Sequence, residues 1–174
     1  MGNDVAGNGY LYGLRDIKII TSTEAIDLPA SQTLQFSEVI TSDQLRGDDV
    51  IVSTVAFPEG IEFTLEAGGI DLKAWAALTG ESIVTAGTTP NRTETFTRHG
   101  AQNFPYVKIY GRSLGDGIDS VHLLIPKAKL TSLEGTLALQ SFFMTSASGT
   151  AVADGTNILY QVVKLETDAE LPTS

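Results

Sequence analysis

Gly111-Arg-Ser-Leu-Gly115 has the G-x-S-x-G spacing in which a serine on a sharp turn becomes a nucleophile, and Asp119 and His122 follow as candidate orienter and base. Such an elbow needs a strand before the serine and a helix after it. Here Ser113 runs into Gly115-Asp-Gly117 and then another strand-like stretch, so the context makes it a turn serine and no catalytic residue is assigned. The two histidines, His99 and His122, have no partner at metal-ligand spacing. Asp116 with Asp119, and Asp43 with Asp48 and Asp49, offer oxygen ligands without the glycine and glutamate spacing of a dedicated calcium loop. No metal or cofactor site is therefore predicted. Arg46-Gly-Asp48 spells an adhesion tripeptide and Asn91-Arg-Thr93 a glycosylation acceptor, but both matter only in an exported chain. The opening residues lack a basic region followed by an apolar stretch. They read as a flexible, glycine-rich arm.

With chemistry unpromising, composition narrows the class. A chain of 174 residues can bury a sizeable core as one domain, and 42% hydrophobic against 18% charged residues is a folding composition. Cysteine is absent, which removes disulfides and thiolate sites together. No apolar run approaches the roughly 20 residues of a membrane helix, so no membrane anchor is expected. The formal charge is −10, and the 11 basic residues are scattered without a run. A protein that grips nucleic acid clusters lysine and arginine to replace phosphate counterions, so tight DNA binding is not expected.

The elements that must position any site are mostly strands. Residues 15–20 place Ile17 and Ile19 on one face and Asp16 and Lys18 on the other. Residues 60–67 alternate strictly, with Ile61, Phe63 and Leu65 opposite Glu62, Thr64 and Glu66, the mark of a half-buried strand. Further strands are read at 93–97, 106–112, 119–130, 134–147 and 157–165, with glycine-rich turns at 114–118 and 154–157. One short helix is predicted at about 70–79, carrying Leu72, Trp75 and Leu78 along one stripe and ending at Gly80. Its simplest role is to plug one end of a β-sandwich. The order of elements is not β-α-β, so the sheets are antiparallel.

Two places look built for contact with other chains. The stretch Ile40, Thr41, Ser42, Asp43, Gln44, Leu45, Arg46, Gly47, Asp48, Asp49 reads as a long polar loop, and it lies close in sequence to the only helix. On the strand read at 134–147, the face with Thr136, Ala138 and Gln140 ends in Phe142 and Met144. A solvated face does not usually carry both, so either a neighbouring subunit or a loop of the same chain covers them.

At this point the chain resembles the major tail tube proteins of bacteriophages with long, non-contractile tails. The residues that carry the likeness are Gly13-Leu-Arg-Asp-Ile-Lys18, Leu45-Arg-Gly-Asp-Asp49, Glu66-Ala-Gly-Gly-Ile-Asp-Leu-Lys-Ala-Trp75, Gly87-Thr-Thr-Pro-Asn-Arg-Thr-Glu-Thr-Phe96, Leu133-Glu-Gly-Thr136 and Phe143-Met-Thr-Ser-Ala-Ser-Gly149. They are ordered phrases over residues 12–166, without a catalytic fingerprint. The resemblance implies a mainly β fold, an antiparallel two-sheet sandwich with one helix, shared with type VI secretion tube proteins. It implies a single domain with flexible arms at 1–13 and 167–174 and no appended immunoglobulin-like domain. Six copies would form a ring whose sheets join into an inner barrel, and rings would stack into the virion tail. The loop at 40–49 would touch the next ring, and the partners would be the chain itself, a tape-measure protein, the tail terminator and distal tail proteins.

DNA would pass through such a tube without specific binding, and a bore that repels phosphate suits that task. Glu62, Thr64 and Glu66 are the lumen-facing candidates, although an ordinary solvated strand face accounts for the same glutamates. The alternative from another class is a ligand- or carbohydrate-binding β-sandwich module. It would be marked by clustered exposed aromatics, and aromatic residues make up only 7% of this chain.

Overall fold

A computed structural model describes residues 11–22, 24–28, 30–69, 71–115 and 119–173. Residues 1–10 of the predicted arm and 116–118 of the predicted turn lie outside them. In chain order the elements are β1 (Leu11–Ile20), β2 (Ala25–Leu28), β3 (Ser31–Gly47), β4 (Val50–Gly68), α1 (Leu72–Thr79), β5 (Ile83–Ala86), β6 (Thr93–Phe96), β7 (Val107–Gly115), β8 (Ser120–Thr136), β9 (Met144–Ala151) and β10 (Gln161–Leu165). Every ladder is antiparallel.

The two layers of this β fold share one strand. The first half of β8 pairs with β7 on one side, from Ser120 to Ala128, and with β10 on the other, from Ser120 to Leu124. Its second half, Ala128 to Thr136, pairs with β9. One layer is therefore β2-β1-β7-β8-β10 and the other β8-β9-β4-β3. Pro126 sits at the changeover. It lacks an N–H, and it falls between the β10 and β9 ladders and beside the register shift against β7, where no ladder bond is required of it. The layers fold onto one another: Leu34 of β3 packs on Gly111 of β7. The rings of Phe36 and Tyr160 lie 5.1 Å apart, and the Tyr160 hydroxyl donates to Glu38 at 2.8 Å.

Alternation puts Ile17 and Ile19, Ile61, Phe63 and Leu65, Val107 and Ile109, Ile125 and Leu130 between the layers, all nearly inaccessible. Each such side chain contributes on the order of 1.5–3 kcal/mol from burial. The small β5–β6 hairpin stands apart. The alternation expected at 60–67 holds residue by residue, with Glu62, Thr64 and Glu66 on the outer face.

The helix begins at Leu72, because the Asp71 carboxylate accepts from the Lys73 N–H at 2.8 Å as its N-cap. Gly80 ends it in the left-handed region at φ 77°, with its N–H bonded to the Ala76 carbonyl. Of the predicted stripe only Leu78 is buried. The line that faces the core is Ala74 and Leu78, four apart, with Thr79 beside them, while Leu72 and Trp75 lie on its margin.

The arm predicted at 167–174 is not free. The Arg112 guanidinium is buried on the outer face of β7 and donates through Nε to Asp168 at 3.0 Å, with Glu170 at 3.5 Å. His122 Nε2 lies 3.1 Å from the Ala169 carbonyl oxygen. Lys18, also buried, donates to the Leu171 carbonyl at 3.5 Å and pairs with Asp27 at 3.2 Å. Leu171 itself is 2% exposed. The tail straps across β8, β7 and β1 because two buried cations find acceptors on it, and Leu171 is covered where it crosses; polar composition alone hid this.

Leu171→Ala is therefore expected to cost about 2–4 kcal/mol in urea unfolding. The strap also responds to acid. Hydrogen bonds from Arg112 hold the Asp168 carboxyl below its usual range, so its contribution is complete at neutral pH and is lost as pH falls through that lowered value. Burial and the neighbouring Asp27 raise Asp16, which acts in the opposite sense and offsets part of the loss. Protease cleavage within 166–173 should rise as pH falls below the ordinary carboxylate range, and uniform protection down to strong acid would count against the strap.

Candidate assembly interface

Residues 40–49 form no loop. Ile40 to Gly47 are the outer half of β3, paired with Val50 to Pro58 of β4, and only Asp48 and Asp49 make the turn, at φ 47° and 65°. A two-residue hairpin turn matching the strand twist needs positive φ at both positions, and aspartate tolerates it. The polar run Thr41-Ser-Asp-Gln44 imitates a loop because this ribbon is wet on both sides and shows no inside-outside alternation.

β4 has two partners from Ile61 to Gly68, where β9 lies on its other edge, and only β3 beyond that. The boundary is chemical. Pro58 cannot donate to a third strand, a register shift falls between Val39 and Ile40, and a Cβ on Gly60 would stand 2.9 Å from the Ala151 carbonyl oxygen where β9 ends. Past this base every residue from 37 to 59 is exposed. The result is a two-stranded arm projecting from the sandwich.

The arm is also apolar. Ile40, Leu45, Val50, Ile51, Val52, Val55 and Phe57 are all exposed, Phe57 to 65%. Cross-strand pairing puts Thr41 with Phe57, Asp43 with Val55 and Leu45 with Ser53 on one face. An isolated two-stranded ribbon is marginal in water, and long exposed strand edges invite another chain. The β-branched run Val50-Ile-Val-Ser-Thr-Val55 was the sequence signal for this surface.

The predicted strand 134–147 is interrupted. β8 ends at Thr136, residues 137–143 form a loop in which Gln140 has φ 59°, and β9 starts at Met144. This loop holds Leu137, Leu139 and Phe142 almost wholly exposed, Phe142 at 90%. Phe143 turns inward onto Trp75, with ring centroids 6.2 Å apart. Among the described residues no loop covers Phe142; it borders an apolar cleft of about 410 Å³ with Met144, Gly68 and Ala30. Along the ladder this loop lies at the opposite end of the β8-β9-β4-β3 layer from the arm.

The outer face of that layer is polar throughout. Glu62, Thr64 and Glu66 are flanked by Ser37, Gln35 and Thr33 on β3 and by Thr150, Ser148 and Ser146 on β9. It presents hydroxyls, carboxylates and the Gln35 amide, and the Glu62–Thr150 row ends on Lys129 of β8; none of these rows holds a ring on which a sugar could stack.

The residues with chemical promise do not meet. Ser113 Oγ donates to the Gly13 carbonyl at 2.7 Å, while His122, paired with Arg112, projects from the opposite face toward the strap. Asp119 is 3.6 Å from Lys164. His99 serves Glu81, whose carboxylate takes the His99 N–H at 2.9 Å and Arg98 at 3.2 Å, and these bonds hold its pKa down. Among the described residues no three His, Asp or Glu side chains gather as a metal site, and no helix is long and apolar enough to cross a membrane. No protein-family model and no curated protein matches the chain.

Proposed function

We propose that this chain is a structural subunit of a phage tail tube, forming six-membered rings that stack into a conduit for DNA in the virion. The observation that carries the reading is the β3–β4 arm. A ribbon of this length, exposed on both faces and rich in valine and isoleucine, with Phe57 among them, is stabilised once another copy covers it. The resemblance of its ordered phrases to those of tail tube proteins supports the same reading. In it the arm, including residues 40–49, bridges rings, and Phe142 and Met144 are buried against a neighbour. Glu62, Thr64 and Glu66 line the bore with a hydroxyl-rich acidic surface, bounded on β8 by Lys129, that offers phosphates little to bind. A tape-measure protein would occupy that bore during assembly, with terminator and distal proteins at its ends.

The test is electron microscopy and sedimentation of the purified chain beside a variant in which residues 41–57 are replaced by Asn-Gly. The unaltered chain should give rings or tubes. The variant should remain a folded monomer, with a melting temperature within a few degrees of the parent, because the arm contributes nothing to the core. Tubes from the armless variant would remove the arm from assembly. A parent that stays monomeric at every concentration, with or without tail initiator proteins, would remove the tail reading itself.

A further inference from the structure

The chain has six lysines. Lys18 and Lys164 are paired, with Asp27 at 3.2 Å and Asp119 at 3.6 Å. The other four, Lys73, Lys108, Lys127 and Lys129, enter no ion pair among the described residues. All four border one surface centred on Tyr106, a residue 52% exposed just before β7. The ammonium groups of Lys127 and Lys129 lie 4.9 and 5.0 Å from its ring centroid. Tyr106 and Lys108 line a cleft of about 440 Å³, and Tyr106 and Lys73 line another of about 520 Å³ that shares the Thr21–Glu24 turn. A chain of net charge −10 thus gathers its unpaired lysines around one aromatic ring. Each ammonium keeps N–H donors that the ring does not satisfy. The surface suits a ligand that is anionic at its tip and apolar behind it.

The arm ends in such a group. Asp48 and Asp49 form its apex, Asp43 follows, and Arg46 is the single opposing charge. Leu45, Val50 and Val52 stand beside them, each about two-thirds exposed. We propose that the acidic arm tip of one copy docks on the Tyr106–lysine surface of another, its carboxylates on Lys127 and Lys129 above the ring and its apolar residues in the clefts that Tyr106 borders. This rests on the tail-tube reading only in taking the arm as a contact between copies. Nucleic acid, the rival anion, fits less well: four lysines on a chain of charge −10, with Glu24 and Glu81 lining the larger cleft, give a polyanion little attraction, whereas the arm tip adds apolar residues beside a few carboxylates.

The test is a charge exchange in the full chain. Lys127→Glu with Lys129→Glu, and separately Asp48→Lys with Asp49→Lys, should each leave the circular dichroism spectrum unchanged. Each should raise the concentration at which tubes form by about tenfold or more, and the four changes together should restore most of it. Lys129→Cys with Asp48→Cys should give disulfide-linked chains on mild oxidation, with no background because the chain has no other cysteine. Unaltered assembly of either charge variant, no recovery in the combined one, or tubes without cross-links would overturn the docking while the arm's role stands. Loss of duplex DNA binding by the lysine variant, with assembly intact, would overturn it in favour of phosphate. An unaltered chain that never assembles would instead defeat the tail reading.

Discussion

Gly149→Ala should be the most damaging single methyl in this protein. Gly149 sits mid-β9, between Phe63 on β4 and Leu130 on β8. A Cβ there would run into the Lys129 carbonyl oxygen and stand 2.9 Å from Leu130 Cα and 2.7 Å from Phe63 Cζ. Two of these are backbone atoms in a central ladder, so no side-chain rotation relieves the overlap. The space is already filled by the Phe63 ring, which lies in the core at 2% exposure. Overpacking of this kind usually costs about 1–3 kcal/mol, and rigid backbone places this site at or above the upper end. Urea unfolding should show the loss without a change in slope. Gly155→Ala is the control, because a Cβ there meets nothing within 4 Å. If the two variants unfold alike, the packing of β9 between β8 and β4 is wrong.

Trp75→Ala should follow closely, at about 3–5 kcal/mol. The indole lies at the helix margin, yet it ties three elements together. Its ring meets Phe96 of β6 edge-on, at 5.8 Å and 90°, and tilts against Phe143 at 6.2 Å. Its Nε1–H donates to Thr145 Oγ1 at 3.2 Å, and that hydroxyl donates to the Gly69 carbonyl. Gly135 leaves room for it, since a Cβ there would be 3.0 Å from the indole. Trp75→Phe should retain most of the ring contacts and lose roughly 1 kcal/mol with the hydrogen bond. A loss under about 1 kcal/mol in the alanine variant would mean that the helix is held by Ala74 and Leu78 alone.

Where one face of an element met the core, its form was legible. Ile61 to Ala67 alternate because one face is dry and the other wet. The Asp154 turn is written in its own chemistry, its carboxylate accepting from the Thr156 and Ile158 N–H groups. Legibility failed where burial follows another rule. The arm is wet on both faces, so Val50 and Val52 point into solvent like Ser42 and Gln44. Leu137, Leu139 and Phe143 kept a strand's spacing but belong to a loop, because β9 pairs only from Met144 onward. The strap was invisible because its anchors are far apart in sequence: Asp168 answers Arg112, and Leu171 answers Lys18. On the arm, nothing in the polar stretch that Phe57 and Val55 pair with signals their exposure.

The sharing of β8 between the layers has a consequence in time. Neither layer can open alone without breaking the strand that belongs to both, so β8 amides should exchange with solvent only through global unfolding. That closure is slow to reach, since β1 must find β7 and β4 must find β9 across most of the chain. The arm is a local hairpin and forms within roughly microseconds once made. A newly synthesised chain therefore exposes its apolar ribbon well before its sandwich closes. Mutual repulsion between chains of charge −10 opposes association of such half-finished chains.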